Sequence, residues 1–283
     1  MVPALEPRRK SATRPVVLDR SLEALPLFRL SDSSDDGALT YEPETGGRWR
    51  VLPAPGDRMP GTFDQDVYVE LLHRYGTSSH PDGMVRFTLH AFLRSIGRRV
   101  DGRTYEQLRG ALGRLHSTVL ESTQAYFAAP AGRNIDARFS ILTSVVIDRR
   151  RSADREQLAL FDSVAAAEPG DARVTISPVL RANLRAGHTI TLSGAAYAAL
   201  ASPTARRLYR LLEVARADGR VAWRVALDAL AGQLPLSQRY PSHLNRVLGP
   251  AHDLLVQAGI VRDAAIRQHQ RDWFVDYVLA SRT

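Results

Sequence analysis

The apolar positions of this chain follow two spacings, and each predicts a different kind of element. From Thr62 onward, Val67, Leu71 and Leu72 repeat at helical spacing up to Gly76. Thr62-Phe63-Asp64-Gln65 before them fits a capping box, the Thr62 side chain on the third amide and Gln65 reaching back. Val85–Phe87 predicts a short strand. Thr88 then caps a helix with Leu89, Phe92, Leu93 and Ile96 on one side and Gly97 as its stop. Thr104 and Gln107 form a second box pattern, and Leu108, Leu112, Leu115 and Val119 follow as a helical stripe. Thr123–Ala128 and Ile135–Asp148 predict two strands around the turn-rich tip Ala129–Asn134. Helix, strand, helix, helix, hairpin is the order of a winged helix.

Val174–Ile176 and His188–Leu192 predict strands, each followed by a helix opened by Ser177-Pro178 or Ser193. The earlier order then recurs: Ser202-Pro203 opens a helix with Leu208, Leu211, Leu212 and Ala215 inward, and Val221–Trp223 and Val225–Leu230 predict a strand and a second helix. Leu244, Leu248, Ala251 and Leu255 predict a third helix ending at Gly259, and Ile260–Arg262 and Trp273–Leu279 flank the polar tip Arg267–Arg271. The stripe from Leu108 to Val119 falls on Leu244 to Leu255 at an offset of 136 residues, and the flanks match as well.

The predicted fold class is therefore α+β: two tandem winged-helix domains behind a mostly irregular N-terminal segment. Residues 1–60 hold eight prolines and the polar stretch Ser31–Gly37, so only Leu25–Leu30 and Trp49–Leu52 are expected to dock there. The first domain is expected at 61–150 and the second at 173–283. A charged, Ala-rich linker at 151–172 lies between them, with one short helix at Arg155–Phe161.

Composition narrows the function. Apolar residues make up 44% and charged residues 24%, an ordinary globular mix. The absence of cysteine excludes disulfide scaffolds, thiolate zinc sites, iron–sulfur clusters and cysteine nucleophiles. The longest apolar run, Ala195–Ala201, is far short of the roughly 18 residues of a membrane helix, so no membrane partner is expected. Arg8-Arg9-Lys10 has no apolar core behind it, so a secretory signal is not expected and a cytoplasmic location is. Lys10 is the only lysine, which leaves no P-loop, kinase or Schiff-base lysine in the rest of the chain. Of the net charge of +8, residues 171–283 carry +7, from 15 basic and 8 acidic side chains. A basic C-terminal half points to a polyanion, with nucleic acid first.

A winged helix turns the face opposite the buried stripe of its third helix to the major groove. That face offers Arg103, Glu106, Gln107, Gly110 and Arg114 in the first copy, and Arg239, Ser242, His243 and Arg246 in the second. Arginine bonds guanine at two points and glutamine adenine at two. The hairpin tips add Arg133 in the first copy and Arg267, His269 and Arg271 in the second, placed to track phosphate. Solvated helix faces are the plain alternative. Arg206, Arg207 and Arg210 are expected as surface charge, with Glu213 near Arg210. Catalytic residues, metal ligands and cofactors are not expected. No two of the eight histidines stand at i, i+4, and no Gly-x-Ser-x-Gly occurs. Asp64-Gln65-Asp66 sits in a first helical turn, where acids favour the dipole.

Three stretches resemble the plasmid replication initiator protein A family: Trp49-Arg50-Val51-Leu52-Pro53, Pro60–Tyr68 and Ala205–Leu212. The resemblance covers roughly residues 25–283 and implies two winged-helix domains, the C-terminal one binding the origin more strongly and the N-terminal one helping a homodimer form. It implies monomers on double-stranded origin repeats, promoting strand opening and loading of the host replicative helicase through the helicase or its loader. Dimers would repress the protein's own gene. A winged-helix transcription regulator shares most of these features. A single-stranded DNA-binding role is less consistent with a chain that lacks a regular series of stacking aromatics.

Overall fold

The computed structural model describes residues 15–30, 37–77, 82–147, 171–236 and 240–281. The fold is a mixed α+β one. Strand β1 (Pro15–Asp19) leads into the single turn α1 (Arg20–Glu23), and β2 (Leu39–Tyr41) and β3 (Arg48–Leu52) follow. Residues 15–30 and 37–52 are thus not the irregular stretch expected. The prolines at 26, 43, 53, 55 and 60 punctuate the connections between short strands, and Pro15 opens a strand, where its missing N–H costs least. Trp49 is fully buried on β3, its indole N–H donating to Pro26 O at 2.8 Å.

Helix α2 (Thr62–Thr77) starts from Gly61 and not from the expected Thr62 box. Asp64 accepts the Gly61 N–H at 2.6 Å, while the Gln65 side chain turns away to Pro203 O and Arg210. Next come β4 (Met84–Thr88) and α3 (Leu89–Ser95), which Thr88 caps as expected. Helix α4 (Gly102–Ser117) has its capping box on Asp101 and Thr104, one turn before the expected pair. The expected long strand at Ile135–Asp148 is two strands. After β5 (Val119–Ala128), β6 (Arg133–Phe139) pairs back on β5, and β7 (Leu142–Ile147) pairs with β8 (Asp171–Ile176). Ile141 and Leu142 are both buried, and two consecutive inward side chains break the period-two alternation of a strand. The expected linker helix at Arg155–Phe161 lies outside the described residues.

The chain continues through α5 (Pro178–Arg185), β9 (Thr189–Ser193), α6 (Gly194–Ala199) and α7 (Pro203–Ala217). It ends with β10 (Ala222–Ala226), α8 (Leu227–Gln233), α9 (Pro241–Gln257), β11 (Val261–His269) and β12 (Asp272–Leu279). Two three-stranded sheets have matching orders, β4–β8–β7 and β10–β12–β11. In each unit a five-residue strand runs directly into a seven-residue helix, β4–α3 and β10–α8, at an offset of 138 residues. The hairpin of the first unit is therefore β7–β8. The β5–β6 hairpin belongs to a separate sheet, β2–β3–β5–β6.

Buried polar groups staple these parts together. Strand β1 pairs with β9 in the second half of the chain. Asp19 at its end accepts the Tyr126 hydroxyl of β5 and Asn183 Nδ2 of α5, the latter at 3.1 Å. Arg207 and Arg210 on α7 were expected at the surface; they are 3% and 1% exposed and pair with Glu23 of α1. Glu213 instead pairs with Arg216. Tyr68 donates to Glu23 at 2.8 Å and Gln65 accepts from Arg210, so α2, α7 and α1 share one buried network. Arg206 bridges to Asp66, which also takes Arg98.

Candidate nucleic-acid interface

Helix α9 divides cleanly. Leu244, Leu248, Ala251 and Leu255 are buried, so the opposite face of its first two turns is set outward. Ser242, Asn245 and Arg246 are exposed there and His243 is half-buried. Arg246 Nη2 lies 3.3 Å from His243 Nδ1; a guanidinium only donates, so the imidazole accepts at Nδ1. The Tyr240 ring packs on His243 at 5.6 Å between centroids. This side of the helix presents arginine, asparagine, serine and an imidazole, all able to bond base edges. Asn245 escaped the sequence reading, although helical arithmetic sets it between Ser242 and Arg246. Arg239 lies outside the described residues.

The β11–β12 hairpin of the same unit turns at Gln270, whose φ is +55°. Arg267, His269 and Arg271 are exposed around that turn. Arg267 is partly neutralised, since its Nε lies 3.5 Å from Asp276 Oδ2. Asp276 also takes two bonds from Arg224, at 2.6 and 3.0 Å, which hold its carboxyl below the usual carboxylate range.

The expected residues of the first unit divide. Arg103 and Gln107 are exposed on the first two turns of α4. Arg114 is not available to a ligand. It is 8% exposed, with its guanidinium on both carboxylate oxygens of Asp64 at 2.7 and 3.2 Å. Gly110 serves that buried arginine, because a Cβ there would stand 3.2 Å from Arg114 Nη1. Arg133 is exposed but is not on the hairpin of the first unit. It starts β6, and the turn before it is tied down by the Ala129 N–H donating to Asn183 Oδ1 at 2.8 Å.

His252 is structural. It is buried with Nε2 2.9 Å from the Tyr277 hydroxyl, and burial pushes its imidazole down to about 4. Among the described residues no group of three or more acidic or histidine side chains could hold a metal ion. No helix among them is long and apolar enough to cross a membrane.

The model of the replication initiator protein A family matches residues 18–239, well over half of the 283-residue chain. The chain belongs to that family. The match includes the stretches around Trp49, Pro60–Tyr68 and Ala205–Leu212, which carry Glu23's partners Tyr68, Arg207 and Arg210 and the docked Trp49. Two solved structures share the fold. The crystal structure of domains 2 and 3 of RctB aligns with a TM-score of 0.56 at 12% identity, covering 94% of this chain and all of that one. The crystal structure of the Pi initiator protein in complex with iteron DNA aligns with a TM-score of 0.53 at 11% identity, covering 97% of this chain and all of that one. No curated protein matches the sequence of this chain.

Proposed function

We propose that this family member is a sequence-specific, double-stranded DNA-binding replication initiator of a plasmid or secondary replicon, built from tandem winged-helix units. The exposed face of α9, with Ser242, Asn245 and Arg246 opposite a fully buried stripe, carries the reading. In it α9 lies in the major groove and the β11–β12 tip follows the adjacent backbone. Helix α4, through Arg103 and Gln107, makes a second contact. Family membership and the likeness to an initiator solved on iteron DNA support origin repeats as the target. Origin opening, contact with the host helicase or its loader, a homodimer through the first unit and repression of the protein's own gene complete the reading. Footprinting the full chain on DNA flanking its gene tests it, and protection of tandem direct repeats is expected.

One observation favours a second reading, a winged-helix transcription regulator. A cavity of about 340 Å³ opens where α2, the end of α3, α6 and β1 meet, lined by Val16, Val69, His73, Ile96 and Tyr197 among others. Cavities of that size hold small molecules. Protection of one palindrome in place of repeats favours this regulator.

A further inference from the structure

The outer face of the β4–β8–β7 sheet carries two arginines directly across from each other. Arg86, at the middle of β4, is the register partner of Arg173 on β8, and Val146 on β7 stands on the other side of Arg173. All three side chains are exposed, while Val85, Phe87, Ala172 and Val174 between them turn to the core. Opposed side chains of antiparallel strands stand roughly 5 Å apart at Cβ, and like charges so placed repel. Among the described residues neither guanidinium has an ion pair. Arg86 Nε donates to Met84 Sδ at 3.2 Å, and Asp171 on the same face pairs with neither arginine.

The second unit shows what this position holds when it is closed. Arg224 stands 138 residues after Arg86, at the middle of β10, and its register partner on β12 is Asp276. That carboxylate takes two bonds from Arg224 and lies within reach of Arg267. One unit thus neutralises the position from within, and the other puts a second cation where the carboxylate stands.

We infer that Arg86 and Arg173 form an oxyanion site that takes a backbone phosphate of bound duplex DNA. The inference rests on the duplex-binding reading above and adds a contact surface on the first unit, away from either third helix. Arginine forks match the tetrahedral oxygens of phosphate. A cavity of about 450 Å³ lined by Arg86, Thr88, Val146, Asp171 and Arg173 gives the group room. A second copy docked isologously on this face would bring two such cationic pairs together, which disfavours it as the occupant.

The test uses the full chain and duplexes bearing either the footprinted site or random sequence. Binding is titrated over a range of salt for the wild type, Arg173→Gln, Arg173→Asp and Arg246→Ala. Each lost phosphate contact lowers the slope of log K against log salt by about 0.9. Arg173→Gln should lower it by about that much and Arg173→Asp by about twice as much, equally on both duplexes. Arg173→Asp rebuilds the Arg–Asp pair of the second unit, so its melting temperature should not fall. An unchanged slope in a folded Arg173→Asp protein overturns the inference. So does a shifted monomer–dimer equilibrium without a slope change, which would assign the face to self-association. If Arg246→Ala loses sequence preference while Arg173→Asp leaves the slope intact, this inference alone falls. A wild type without salt-dependent duplex binding takes the functional reading down with it.

Discussion

Arg210 Nη1 lies 2.9 Å from Glu23 Oε2, with both side chains 1% exposed and 187 positions apart in the chain. Arg207 and the Tyr68 hydroxyl reach the same carboxylate. Removing one partner of a buried pair leaves an uncompensated charge, which costs about 3–5 kcal/mol. Glu23→Gln should lower the unfolding free energy read from urea titration by that amount. Glu42→Gln breaks the exposed pair with Arg48 and should cost about 0–1 kcal/mol. Equal losses in the two variants would show that Glu23 does not join the units.

Arg114→Ala should act on stability in the same way, because it strands Asp64, which is 1% exposed. A loss of about 3–5 kcal/mol is expected. Gln107→Ala, on the exposed side of α4, should melt like the wild type. A normal melt for Arg114→Ala together with a changed base preference would return Arg114 to the DNA-facing side.

Leu248→Ala tests the orientation of α9. The side chain is 1% exposed, and its truncation should cost about 2–5 kcal/mol through lost burial and a cavity. Thermal melting should show a clear drop, with DNA binding lost only as the fold is lost. An unshifted melt would mean that α9 is rotated from the structure described.

His252 makes stability depend on pH. Its ordinary value is 6.5, and burial lowers it to about 4 in the folded chain, with Asp253 opposing. The unfolded chain therefore binds the extra proton first. The contribution is whole above 6.5 and is lost as pH falls toward 4. The full effect is about 3 kcal/mol, from roughly 2.5 units at about 1.36 kcal/mol each. Asp19 acts in the opposite sense, because burial raises it to about 6 and its contribution fades as pH rises toward that value. Urea unfolding of the wild type and His252→Gln across this range separates the two. The difference between the proteins should change with pH, and parallel curves would contradict the assignment.

What the sequence showed depended on how local the cause was. The stripe Leu244–Leu255, the Thr88 cap and the two copies of strand and helix follow from spacing alone and are present, and so is the first stripe from Leu108 to Leu115, whereas its expected last member Val119 opens β5. The buried arginines were not visible, because their partners lie far away in sequence. Arg210 on a helix face with Glu213 nearby has the pattern of surface charge until Glu23 arrives from the other end of the chain. Arg114 lies opposite the start of its stripe and is buried all the same, because α2 brings Asp64 against it. The misplaced hairpin had a similar cause. Strand β7 leaves its neighbour β6 for β8, a partner beyond residues 148–170, and period-two alternation says nothing about which strand will pair.

In the function proposed for this chain, α9 reads bases in duplex DNA through Arg246. The most direct measurement is the ratio of affinities of the full chain for its footprinted site and for random duplex, for wild type and Arg246→Ala at one salt concentration. Loss of a two-point base contact should cut that ratio by an amount equal to about 1–3 kcal/mol, with base preference relaxed at one position and an unchanged melting temperature. Equal losses on both duplexes would contradict the account and move Arg246, with Ser242 and Asn245, from base reading to backbone attraction.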